Sequence, residues 1–72
     1  MTDTQKLKAK IVESGLTQAK VANKLGISVT SFNNKLLNRS SFKASEMFCL
    51  CELLNIRKDE DAKSIFFAQN SE

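Results

Sequence analysis

No histidine occurs anywhere in the 72 residues, so neither Ser-His-Asp or Cys-His catalysis nor a histidine-ligated zinc site can be built. Only two glycines are present, Gly15 and Gly26, too few and too far apart for a glycine-rich phosphate loop. Proline is absent, and no repeat, low-complexity segment or linker interrupts the chain, which predicts a single domain over residues 1–72. No apolar run approaches the ~20 residues of a membrane span, and the first residues lack the basic, apolar, small-residue order of a signal segment. Cys49 and Cys51 lie two apart in an apolar stretch, where a helix points them in different directions. A mutual disulfide is thus disfavoured and a four-ligand zinc site cannot be completed, so both read as core thiols of a cytoplasmic protein. These exclusions leave a binding module: no enzyme, no cofactor, no metal, no membrane partner.

What is present points the same way. Apolar residues make up 42% and charged residues 26%, the balance of a folded globular chain. A domain this small buries only ~60% of its unfolded surface, so its core is thin. The net charge of +3 is unevenly spread. Met1 to Lys43 carries eight basic residues against Asp3 and Glu13, a net of +6, whereas Ala44 to Glu72 carries −3. One part is suited to a polyanion and the other to something else.

Hydrophobic spacing is helical throughout, and the alternation of a half-buried strand is missing. It predicts an all-α fold of five helices at about 4–14, 17–25, 28–37, 45–54 and 59–66. Leu7, Ile11 and Val12 are assigned to the inner face of the first helix, which Gly15 ends. Thr17 caps the second, whose inner stripe is Val21, Ala22 and Leu25, with Ala19 filling in. Gly26 stops it, Ile27 follows, and Ser28 caps a third helix that buries Phe32 and Leu36. Around Phe32, the residues Val29, Thr30, Ser31, Asn33 and Asn34 are short, uncharged and mediocre helix formers, unlike the Glu, Lys or Gln of an ordinary exposed helix. Such side chains let a helix approach a surface closely and still form hydrogen bonds. After a polar loop with a buried Phe42, Ser45 opens the fourth helix, with Met47, Leu50, Cys51 and Leu54 as its stripe. Asn55 and Ile56 close it, and Asp59, Glu60 and Asp61 suit the positive end of the fifth.

The segment from Thr17 to Leu37 has the parts of a helix-turn-helix: Ala22 where the helices cross, Gly26 at the corner, and Val21, Leu25, Ile27 and Phe32 between them. "LTQAKVANKLGISVTSFNNKL" resembles the helix-turn-helix of the phage repressor and Cro class of bacterial DNA-binding domains, and "SSFKASEMFCLCELLNI" resembles their fourth-helix region. The likeness runs from about Leu7 to Ile56. It implies a compact lambda-repressor-like fold whose third helix enters the major groove of double-stranded DNA. One position departs: relatives carry an apolar residue three places after Phe32, where this chain has Lys35. Leu36 takes over the packing, which leaves open whether Asn33 or Asn34 faces the groove.

Roles follow from that resemblance. Ser28, Val29, Thr30, Asn33 and Asn34 are the expected base contacts, with the methyls suited to thymine and an amide suited to adenine. No arginine lies among them, so sites biased to A·T pairs are expected. Thr17, Gln18, Ser31, Lys35, Asn38, Arg39 and Lys43 are the expected backbone contacts. Lys10, Lys20 and Lys24 join the phosphate candidates, Lys10 and Lys24 being the two best explained as solvating charges alone. About five such contacts imply a log–log salt slope near −4 to −5. A single recognition helix reads few base pairs, so a homodimer on a two-fold site is expected. Ile65, Phe66 and Phe67, with part of the fourth and fifth helices, supply its contact, or else Ile65 and Phe66 fold back onto the monomer core. The expected function is a transcriptional regulator of a phage or mobile element that represses by occluding a promoter. The alternative is a protein-interaction module, an antirepressor that keeps the fold.

Overall fold

In a computed structural model, residues 1–57 and 60–68 are described, with Glu60 as backbone only. The order is α1 (Thr4–Ser14), α2 (Gln18–Leu25), α3 (Val29–Leu36), α4 (Ala44–Leu53) and α5 (Glu60–Phe66), and no strand occurs among the described residues. The expected start of the fifth helix at Asp59 lies outside them.

Local chemistry sets most boundaries. The side chains of Asp3, Thr17 and Ser28 accept the backbone N–H of Lys6, Lys20 and Ser31 at 3.1, 3.2 and 3.0 Å, and so cap α1, α2 and α3. Gly26 ends α2 at φ 76°, a left-handed conformation, and the Ile27 N–H then reaches back to the Ala22 carbonyl at 3.1 Å. The same closure recurs with asparagine in glycine's place. Asn38 (φ 65°) lets Arg39 N–H bond the Asn34 carbonyl at 2.8 Å, and Asn55 (φ 57°) lets Ile56 N–H bond the Cys51 carbonyl at 2.9 Å. α4 begins one residue before the expected Ser45. Lys43, at the N-cap, has no capping side chain, and Glu46 at the third helical position reaches back so that its carboxylate accepts the Lys43 N–H at 2.8 Å.

Leu7, Val21, Phe32, Leu36, Leu50 and Ile65 are the fully buried centre, one or two residues from each helix. Phe42, on the α3–α4 connection, presents its ring edge-on to both Phe32 and Phe66 at 5.9 Å. That geometry favours the aromatic quadrupoles and lets a loop residue join α3 to α5. Two inner positions expected from the sequence are corrected. Val12 is 77% exposed, since one residue beyond Ile11 turns it about 100° off the stripe of Leu7 and Ile11. Ala19 is exposed as well, on the outer side of α2. No described helix is long and apolar enough to cross a membrane.

Candidate nucleic-acid interface

α2 and α3 pack against each other across the turn at Gly26 and Ile27, and α4 braces α2 from behind. This arrangement is a helix-turn-helix. Val21 and Ala22 face Phe32 and Leu36 in the core, which commits one side of α3 inward and frees the other. Val29, Thr30, Asn33 and Asn34 occupy the freed side, at the i, i+4 spacing that keeps residues on one helix face. Ser28, Val29 and Thr30 are exposed, and Ser31, Asn33 and Asn34 are half-buried. Among the described residues, nothing bonds the side chains of Thr30, Asn33 or Asn34, so their hydroxyl and amide groups face outward unsatisfied by protein. Leu37, 37% exposed, extends the surface by an apolar group that sequence reasoning did not single out. The result is an uncharged ridge of methyls, hydroxyls and amides about 12 Å long.

The expected backbone contacts divide into three groups. Lys20 and Lys24 on α2, Arg39 after α3 and Lys43 before α4 are exposed. Thr17, also exposed, and Ser31 lie at the first turns of α2 and α3, and Gln18 is half-buried at the start of α2. Lys35 and Asn38 are otherwise engaged. The Lys35 ammonium lies 2.7 and 2.8 Å from the two carboxylate oxygens of Glu46, and the side chains are only 13% and 9% exposed. Lys35 is therefore corrected from a phosphate contact to half of an internal ion pair. The Asn38 amide spends both its ends on the Thr2 backbone, at 2.8 and 2.9 Å. Lys10 pairs with Glu13 at 3.8 Å on the surface of α1.

Burial alone raises the Glu46 carboxyl. Hydrogen bonds from Lys35 and from the Lys43 N–H, with the two lysine charges, outweigh it and hold the group below the ordinary value of 4.5. No sequence pattern links Glu46, a residue of the first turn of α4, to Lys35 eleven residues before it. One signal was there: a lysine at a position where the helix-turn-helix pattern has an apolar residue needs a carboxylate to enter the fold.

Of the three residues weighed for a homodimer contact, Ile65 and Phe66 lie in the core at 2% and 3% exposure. That removes both from the surface, because their side chains are needed to cover the monomer's own α1 and Phe42. Phe67 is 60% exposed and Phe48, on α4, 57%. Cys51 is buried and Cys49 half-buried, and neither is in a disulfide. Among the described residues, no three His, Cys, Asp or Glu side chains are grouped to hold a metal.

The fold and ridge together define a small all-α helix-turn-helix protein. Over residues 1–69 the chain matches, and belongs to, the family described as "Protein of unknown function (DUF739)". No curated protein and no solved structure matches it.

Proposed function

We propose that this protein is a sequence-specific double-stranded DNA-binding transcriptional regulator, a Cro- or repressor-like protein of a phage or mobile element. The observation that carries the reading is the outward, uncharged ridge of Val29, Thr30, Asn33 and Asn34, together with exposed Lys20 and Lys24 on α2, Arg39 just after α3 and Lys43 just before α4. A helix about 10–12 Å across fits the ~12 Å major groove. Cations neutralise phosphates, which position the helix, while short polar groups read base edges. The resemblance of Leu16–Arg39 to the repressor and Cro class supports the same assignment. With amides and methyls but no arginine on the ridge, the preferred sites are rich in A·T pairs. In this reading the protein carries out no chemical step, acts in the cytoplasm, needs no cofactor, and works as a pair on a two-fold operator.

Selection from a random duplex pool tests it. The expected outcome is an enriched A·T-biased site, lost when Thr30→Glu and Asn34→Glu are introduced together, with the melting temperature of the variant within a few degrees of wild type. Absence of enrichment, or enrichment indifferent to the two glutamates, overturns the reading. Exposed Phe48 and Phe67 favour one second reading, a protein-binding antirepressor, which the same double variant leaves active.

A further inference from the structure

The first three residues run extended between two helices. Thr2 donates its N–H to Asn38 Oδ1 at 2.8 Å, and its carbonyl accepts from Asn38 Nδ2 at 2.9 Å. On the opposite edge, Asp3 N–H donates to the Ile65 carbonyl at 2.6 Å and the Met1 carbonyl accepts from Ala68 N–H at 2.9 Å. Extended chain directs the backbone groups of alternate residues to opposite edges, so Met1 and Asp3 serve α5 while Thr2 serves the end of α3. Thr2 is buried, with 7% of its surface exposed. A residue later, Thr4 Oγ1 donates to the Leu36 carbonyl at 2.6 Å, on the last turn of α3. That carbonyl is one of the four a helix leaves without an internal partner.

Five hydrogen bonds thus tie one short segment to two elements. Asn38 itself sits in the left-handed conformation that closes α3, and both the oxygen and the nitrogen of its amide bond the Thr2 backbone. We propose that residues 1–4 form a strap that positions the recognition helix, and that Asn38 is a positioning residue whose amide holds the strap and makes no contact with phosphate. The strap makes the placement of the α3 ridge depend on α5, since the same three residues are anchored on both. The consequence for DNA rests on the function proposed above; the strap itself does not.

Amide hydrogen exchange and DNA titration, run on three variants, test the proposal. Asn38→Gly keeps the left-handed backbone and loses both side-chain bonds. Thr4→Val loses the bond to Leu36 with little change of volume, from a site on α1 behind the ridge. Both are expected to speed exchange of the Leu36, Leu37 and Arg39 amides about tenfold, leaving the α4 amides at wild-type rates. Both are expected to weaken DNA binding five- to twentyfold at an unchanged salt slope, because no charge is removed. Thr4→Ser, which retains the hydroxyl, is expected to behave as wild type. Unchanged exchange at the end of α3 overturns the strap, and so does Thr4→Ser failing alongside Thr4→Val. Weakened binding in Asn38→Gly alone, with normal exchange, makes Asn38 a direct contact and also overturns it. A wild-type protein that binds no DNA defeats the proposed function, while the exchange rates still decide the strap.

Discussion

Lys35 and Glu46 illustrate how a charge can replace an apolar residue in a small core. The ammonium and carboxylate are each about nine-tenths buried, at 2.7 Å, and the carboxylate has a second donor in the Lys43 N–H. Removing one member strands the other, a cost of about 3 kcal/mol for buried pairs, whereas replacing both with apolar groups of similar size is often neutral. Lys35→Met and Glu46→Leu are therefore each expected to destabilise by about 3 kcal/mol, and the double variant to lie within about 1 kcal/mol of wild type. Urea denaturation of the four proteins checks this; additive losses would show that the pair contributes nothing as a pair. The sign of the pH effect follows from the lowered Glu46 value. Its folded-state carboxyl binds protons less readily than the unfolded one, so its stabilisation is complete above 4.5 and is lost as pH falls through the lower folded value. The stability of Glu46→Gln is expected to be flatter with pH across that acid window, and parallel curves would contradict the assignment.

At the scale of elements, the turn between α2 and α3 sets the angle at which the ridge projects. Gly26 has open space where a side chain would go, so alanine meets no clash there and only the positive φ opposes it. Gly26→Ala is expected to cost about 1 kcal/mol, the left-handed penalty for a residue with a Cβ. In a domain of this size that lowers the melting temperature by roughly 4–8 °C. Gly26→Asn is expected to cost less, because this protein already places Asn38 and Asn55 in the same conformation. Calorimetry on the two variants measures the difference; equal costs would show that backbone conformation is not what the position selects. α3 and α5 are further joined by the edge-on contacts of Phe42 with Phe32 and Phe66, which let a residue of the α3–α4 connection hold α3 against the rest of the molecule.

For the molecule as a whole, the withdrawal of Lys35 into an ion pair changes the electrostatic expectation. Lys20, Lys24, Arg39 and Lys43 remain exposed, and Lys10 has Glu13 beside it. Four phosphate contacts correspond to a log–log salt slope of about −3.6, shallower than the −4 to −5 expected from the sequence. Titrations between 50 and 200 mM salt measure it, and a slope steeper than about −5 would mean that Lys35 leaves Glu46 on DNA. The burial of Ile65 and Phe66 also moves any contact between copies to residues outside the core, with Phe67 the one of the three still on the surface.

Much of this was legible in the residues themselves. Thr17, Ser28, Gly15 and Gly26 act within a turn of their own position, so the limits of α1, α2 and α3 followed from local chemistry to within a residue. The stripes through Leu7, Val21, Phe32 and Leu50 likewise follow from helical periodicity. The outward side of α3 could be read because Phe32 and Leu36 leave Thr30, Asn33 and Asn34 nowhere else to point. Tertiary packing alone decided the partners of Lys35, Asn38 and Ile65. Each is joined to a group eleven to more than sixty residues away, Glu46, Thr2 and Asp3, and the Asn38 and Ile65 contacts run through backbone atoms common to every residue type. A carbonyl or an N–H carries no mark of its partner in the sequence, so those pairings exist only once the core has brought distant segments together.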